Sequence, residues 1–292
     1  GSSLLLTRLH SMIEKRFPGA LKLTELFSVP TIRDQARLIG ERTPRPTESP
    51  APKDFRQHVV RLGGAGSRKL FCFAPGSGSS YRYHEKARRL SGWEVNGANF
   101  VETARPAAVL AKMLAQTQPS GAFMLLGYSI GGNLAYEVAH ELKARGREVT
   151  GLVLIDSWRR LERFHFTGEE YRKNAEEFLL AADPRYLALG DGEAAIRRVE
   201  SYARYMDSRV EDRRVDCPIR LILAESSDFK CPFRITQRGW GELTSDFRML
   251  PGWGRHMDML DEPHMGKNTA LVQQMLEEIA RSRAAEPELV RV

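Results

Sequence analysis

One pentapeptide constrains this chain more than any other stretch. Gly127-Tyr128-Ser129-Ile130-Gly131 follows the apolar run Phe123-Met124-Leu125-Leu126 and precedes Asn133–Ala139, whose apolar positions recur at helical spacing until Gly146. The short apolar run reads as a buried strand and the periodic stretch as a helix. A turn this tight between strand and helix forces the serine into a strained backbone conformation, and the glycines on either side let the two segments approach closely. Ser129 Oγ then stands exposed at the turn. The amide of Ile130 lies at a helix N-terminus, where it can hold an oxyanion. The motif alone is a weak signal; its strand and helix flanks make it a nucleophile candidate.

The rest of the chain supplies a scaffold for such a turn. Strand-like runs fall at His58–Leu62, Leu70–Phe73, Glu94–Phe100, Phe123–Gly127, Val149–Ile155, Ile219–Ala224 and Phe247–Leu250. Helical patterns separate several of them, at about 82–90, 106–117, 130–145 and 267–283. Alternating strands and helices predict an α/β domain with a mostly parallel sheet over residues 57–292. The interval 157–214 breaks the alternation, with two or three helical stretches and no convincing strand, and reads as a helical insertion. It carries twelve basic and twelve acidic side chains, so it is neutral. Its aromatic residues serve mainly to pack it onto the core, with a few left to line an apolar bowl.

Residues 1–40 form a separate helical unit. Leu4, Leu5, Leu6, Leu9, Met12, Ile13 and Phe17 recur at helical spacing, Leu23, Leu26 and Phe27 suggest a short helix, and Thr31 caps a third. Three short helices make a thin core, so this unit reads as a fragment of a larger bundle. Residues 41–56, with prolines at 44, 46, 50 and 52, read as an extended linker.

A serine nucleophile needs a base, and the base an orienting acid, in the chain order Ser, Asp or Glu, His for this type of turn. Asp156 ends the strand Val153-Leu154-Ile155; Asp228, after Leu221-Ile222-Leu223-Ala224, is the rival, and order alone does not choose. His256 sits in the loop between the last strand and the terminal helix, as the base should. His264, beside Pro263, is its competitor and reads as a surface or loop residue. A second oxyanion donor belongs in the loop after an early strand, where Ala74-Pro75-Gly76-Ser77-Gly78 lies; Gly76 is the choice, with Ser77 the alternative.

Composition removes other classes. Three scattered cysteines without CxxC spacing argue against a disulfide framework or a structural zinc. The net charge of +7 is spread thinly with no basic stripe, which leaves nucleic acid without a motif. No apolar run reaches the ~18 residues of a membrane span, and no signal-peptide pattern opens the chain. The expectation is a cytoplasmic protein without membrane, metal or nucleotide.

The stretches LFCFAPGSGSSYRY, GYSIGGNLAYEVAHELKARGREVTGLVLIDS and GRHMDMLDEPHMGKNTALV resemble the type I thioesterase domains that end nonribosomal peptide synthetases, over about Val59 to Ala284. The resemblance implies the α/β-hydrolase fold with a helical lid at 157–214. It favours Asp156 as acid and His256 as base. The stretches SLLLTRLHSMIEKRF and LTELFSVPTI resemble the second half of an acyl or peptidyl carrier domain. There the serine before the first leucine, here Ser3, receives 4′-phosphopantetheine; Ser2 stands where an acidic residue or histidine is usual. The implied activity is chain release: a carrier-bound acyl or peptidyl thioester passes to Ser129 and leaves by hydrolysis or macrocyclisation. The implied partners are upstream synthetase modules, the chain itself being a monomeric excised end of a larger synthetase, peptide or hybrid polyketide/peptide. Two alternatives stand beside this: a thioesterase that edits stalled acyl groups, and a catalytically silent carrier-docking module.

Overall fold

A computed structural model describes residues 13, 19–21, 25–28, 31–42, 58–182, 192–226 and 235–284. The chain divides into two compact units, residues 1–54 and 55–292. In the first, α1 (Glu25–Ser28) and α2 (Ile32–Arg42) are described. Thr31 caps α2 as its position suggested: its hydroxyl accepts the Asp34 N–H at 3.2 Å and donates to the Asp34 carboxylate at 2.6 Å. Helix α2 runs two residues past the expected boundary at 40. Arg42 at its C-terminus pairs with Glu25 at 2.7 Å, and Pro44 is the first residue that bars a helix. Ser3, most of the first expected helix and most of the 41–56 linker lie outside the described residues.

The second unit is built on a seven-stranded sheet: β1 (Val59–Gly63), β2 (Arg68–Phe73), β3 (Trp93–Ala98), β4 (Phe123–Tyr128), β5 (Val149–Ile155), β6 (Ile219–Leu223) and β7 (Phe247–Pro251), in the order β1-β3-β2-β4-β5-β6-β7. Within this sheet, among the described residues, only β1 is antiparallel to its neighbour and the other pairings are parallel. Helices cover both faces, which is why the central strands read as unbroken apolar runs: all six residues of β4 are buried.

The two-residue strand period sorts the core into two layers. Phe71, Phe73, Phe123, Leu125, Leu152 and Leu154 face one side, under α4 (Pro106–Thr117) and α5 (Ile130–Lys143). Leu70, Cys72, Met124, Leu126, Val153 and Ile155 face the other, under α3 (His84–Ala87) and α8 (Met265–Ala284). The expected helix at 82–90 is instead a 3-10 turn, Ser80–Tyr83, running into the single turn of α3.

The insertion after β5 contains α6 (Gly168–Ala182) and α7 (Gly192–Asp207). Ala175, Leu179, Ile196 and Val199 form a small core between them, apart from the sheet, while Tyr202 and Met206 at the end of α7 enter the main core. The sequence showed no strand here, yet Arg159–Arg160 pairs antiparallel with Ile235–Thr236. Two residues are too few to display an alternation. This ribbon is held by side chains instead: Arg159 donates to the Glu211 carbonyl and to the Gly239 carbonyl, each at 2.7 Å.

Candidate active site

The site lies at the C-terminal ends of β4, β5 and β7, where parallel α/β sheets place their chemistry. Ser129 follows β4 directly, with φ 57° and ψ −134°, a conformation costing of order 1–3 kcal/mol for a residue with a side chain. Its N–H is held by the Ile155 carbonyl at 2.9 Å. The turn closes only because its flanks are glycines. A Cβ on Gly127 would lie 2.3 Å from the Gly131 carbonyl group, and one on Gly131 would lie 2.5 Å from the Phe73 carbonyl oxygen.

Asp156 follows β5, completely buried, with φ 43°. Aspartate is among the few side chains that tolerate this left-handed region. The Ala224 N–H and the Gln237 side-chain amide donate to Oδ1, at 3.0 and 2.6 Å. Oδ2 is left for His256 Nδ1 at 2.6 Å, and His256 Nε2 lies 3.0 Å from Ser129 Oγ. A carboxylate can only accept, so Nδ1 carries the proton and Nε2 is the acceptor facing the serine hydroxyl.

The loop carrying His256 is tied down on all sides. The His256 N–H donates to the Ser226 carbonyl at 3.2 Å, and the Glu225 N–H to the Gly254 carbonyl at 2.9 Å. The Tyr128 hydroxyl donates to the His256 carbonyl, and the Tyr128 ring lies 5.2 Å from the imidazole. Burial raises the Tyr128 phenol well above its ordinary value, which keeps it a donor. Asn268 on α8, buried to 1% exposure, accepts the Trp253 N–H at 2.9 Å and donates to the Trp253 and Met259 carbonyls, both at 2.8 Å.

The structure thus brings Ser129, Asp156 and His256 together. Asp228 lies outside the described residues. His264 packs its ring on Gly254, where a Cβ would come within 2.7 Å of it, and so supports the loop rather than the serine. Ile130 opens α5, and its amide is among the first-turn N–H groups that lack an intrahelical acceptor. Gly76 sits in the loop after β2 beneath the lid: a Cβ on it would be 3.0 Å from Phe178 Cζ.

Several supporting residues escaped sequence reasoning. Gln237 comes from a stretch with no motif, and Tyr83 and Tyr202 carry only the generic signature of packing aromatics. Asn268 lies within the GKNT segment already noted, but its role needs the loop it brackets. Cys72 and Cys217 are free and buried; burial pushes the Cys217 thiol up to about 12 and Cys72 higher still, so neither is a nucleophile at neutral pH. Among the described residues there is no cluster of metal-ligating side chains, and no helix is long and apolar enough to cross a membrane.

A serine-histidine-aspartate relay at the top of a mostly parallel sheet, under a helical lid, defines a serine hydrolase of the α/β-hydrolase fold. Comparison with known proteins narrows the class. A family model for the thioesterase domain matches residues 68–191, spanning Ser129 and Asp156 and ending before His256, and one for the phosphopantetheine attachment site matches residues 1–39. Bacitracin synthase 3 of Bacillus licheniformis is 29% identical over 92% of this chain, and tyrocidine synthase 3 of Brevibacillus parabrevis 26% identical over 96%. In both cases the chain spans only 4% of the relative's length. The solved thioesterase domain that cyclises the lipopeptide antibiotic surfactin superposes with a TM-score of 0.66 at 23% identity, over 77% of this chain and 98% of that domain. The chain thus matches the thioesterase domain behind a match to the phosphopantetheine attachment site, and over nearly its whole length it is similar to the bacitracin and tyrocidine synthases.

Proposed function

We propose that this chain releases the finished product of a synthetase, taking an acyl or peptidyl chain from its carrier onto Ser129 and discharging it by hydrolysis or macrocyclisation. The carrying observation is the relay itself, with Ser129 Oγ 3.0 Å from His256 Nε2 and His256 Nδ1 2.6 Å from Asp156. Residues 1–40 act as the carrier part, 41–56 as linker and 57–292 as the thioesterase, with the lid at 157–214. Ser3 bears the 4′-phosphopantetheine, whose thiol supplies the thioester linkage.

His256 Nε2 takes the Ser129 proton as Oγ bonds to the thioester carbonyl carbon. Asp156 holds the imidazole tautomer and stabilises the imidazolium. The amides of Ile130 and Gly76 take the oxyanion, each such donor being worth about 2.7–4 kcal/mol. The carbon–sulfur bond then breaks, the proton passes from Nε2 to the departing sulfur, and an ester on Ser129 remains. Water, or an amine or hydroxyl of the chain itself, attacks that ester with His256 again as base. A lid that excludes water favours the internal nucleophile. The natural partners in this reading are upstream synthetase modules in the cytoplasm, and buried, reduced Cys72 and Cys217 suit a reducing compartment.

The test is labelling by an active-site-directed fluorophosphonate and turnover of a pantetheine thioester. Both are expected in the parent and absent in Ser129→Ala. Equal labelling of the two proteins overturns the nucleophile assignment. Product at the mass of the free acid indicates hydrolysis, and product lighter by one water indicates cyclisation.

A further inference from the structure

Two tyrosines join the end of β2 to the nucleophile turn, one on each face of the sheet. Tyr83, in the 3-10 turn, accepts the Tyr128 N–H at 2.9 Å and donates to the Phe73 carbonyl at 2.8 Å. It belongs to the core layer under α8. Tyr202 belongs to the opposite layer and comes from the lid helix α7. Its hydroxyl donates to the Ala74 carbonyl at 2.8 Å, with the Ile130 carbonyl 3.4 Å away. Its ring is completely buried and stacked on Phe100, centroids 4.2 Å apart.

These two carbonyls are close to the two amides assigned to the oxyanion. Ala74 lies two residues before Gly76 in the same short loop, and Ile130 carries the other amide itself. The phenol of Tyr202 therefore spans the two backbone segments whose separation sets the width of the oxyanion hole. Tyr83 is anchored in the sheet's own core, so its bridge does not depend on the lid. Tyr202 rides on the lid, and its bridge does. Two further lid side chains press on the same loop: Phe178 on Gly76, and Arg198 on Gly78, where a Cβ would meet Arg198 Cδ at 2.6 Å.

We propose that Tyr202 is a positioning residue through which the lid sets the geometry of the oxyanion hole, so that acyl transfer is fully competent only with α7 seated. The inference rests on the assignment of Ile130 and Gly76 as oxyanion donors and adds to it a control element that the triad does not contain. Removing the hydroxyl while keeping the ring frees the two segments to drift, and sub-ångström displacement of preorganised donors lowers the transition state's stabilisation without touching ground-state binding.

The experiment compares Tyr202→Phe with the parent on a pantetheine thioester and with a trifluoromethyl ketone analogue that forms a tetrahedral adduct on the serine. The expected result is a fall in kcat of roughly tenfold, below the ~10²–10³ of deleting a donor outright, with KM within about twofold and affinity for the ketone falling by the same factor as kcat/KM. A purely structural role would lower the unfolding temperature and the active fraction but not the ketone affinity of the folded, titrated sites. An unchanged kcat, or a kcat loss with undiminished ketone affinity, overturns the proposal. Should Tyr202→Phe not fold, 3-fluorotyrosine at position 202 keeps ring and hydroxyl and alters only donor strength. A changed kcat at constant KM then supports the bridge, and an unchanged kcat overturns it. Ser129→Ala is run in parallel: its continued turnover would remove the nucleophile reading, an outcome independent of any result at Tyr202.

Discussion

Gln237 donates its side-chain amide to Oδ1 of Asp156 at 2.6 Å and thereby assigns Oδ2 to His256. The Ala224 N–H holds the same oxygen at 3.0 Å, so the carboxylate is fixed by one backbone and one side-chain donor. Replacing Gln237 by Leu removes only the second. The carboxylate keeps its place but gains rotational freedom, and kcat is expected to fall about tenfold at constant KM. Asp156→Asn, which favours the wrong imidazole tautomer, is expected to cost about 10⁴-fold. Steady-state kinetics on a thioester substrate separates the two. A Gln237→Leu enzyme as fast as the parent would leave this contact without a role.

Asn268 offers a case where stability and activity fall together. Its amide closes the loop that carries His256 by bonding Trp253 on one side and Met259 on the other. Asn268→Leu leaves one N–H and two carbonyls of that loop without this partner. Buried orphans of this kind cost about 1–3 kcal/mol each, and partial access of water to the loop brings the total to about 3 kcal/mol. For a domain of this size that corresponds to a fall in Tm of about 6–12 °C, readable by calorimetry. Activity measured well below the new Tm should also be reduced, because the imidazole is no longer held in register with Ser129.

Glu211 sets a pH dependence of stability. Its carboxyl is wholly buried beside Arg160, with Asp207 also near that guanidinium and Glu137 further off. Burial dominates over the attraction of Arg160 and lifts the Glu211 carboxyl from its ordinary 4.5 to about 7. Between those two values the folded protein binds more protons than the unfolded chain, so stability declines as pH rises from about 4.5 to about 7 and is flat in this group above that. Glu211→Gln keeps an acceptor for the Arg160 N–H and removes the titration. Denaturant unfolding of the two proteins at several pH values should show the variant gaining on the parent across that window. A difference that does not change with pH would show that Glu211 titrates at its ordinary value.

The glycines of the nucleophile turn separate backbone from side-chain clashes. Gly127→Ala drives a methyl into the Gly131 backbone, which cannot yield without opening the turn, and a loss of more than about 3 kcal/mol is expected. Gly76→Ala meets only the tip of the Phe178 ring at 3.0 Å. That ring can swing, so the variant should fold with a stability within about 1 kcal/mol of the parent. The order of the two variants in thermal unfolding tests this, and a reversed order contradicts it.

Much of this architecture was legible because it is local. The strand runs, the turn at Ser129, the cap at Thr31 and the break in alternation after Asp156 are all written in windows of a few residues. What escaped was non-local or compact. Gln237 reaches Asp156 across the fold from a segment without periodicity. The ribbon at Arg159–Arg160 is too short to show a pattern. Tyr83 and Tyr202 read as core aromatics, and they are; their hydroxyls acquire meaning only from carbonyls brought to them by other elements. Asp156 and Asp228 could not be ranked by order because both follow strands that end at the same edge of the sheet.

The lid leaves and re-enters the sheet through one narrow neck. Phe164 donates its N–H to the Asp207 carbonyl at 2.7 Å, Glu211 its N–H to the Arg160 carbonyl at 3.2 Å, and the Glu211 side chain takes the Arg160 N–H in return. With its two ends fastened to each other, the insertion behaves as a cassette. Its interior can be lengthened, shortened or exchanged without pulling on the strands below, so substrate preference can diverge while the chemistry stays fixed. A transplanted cassette must still bring a hydroxyl to the place of Tyr202.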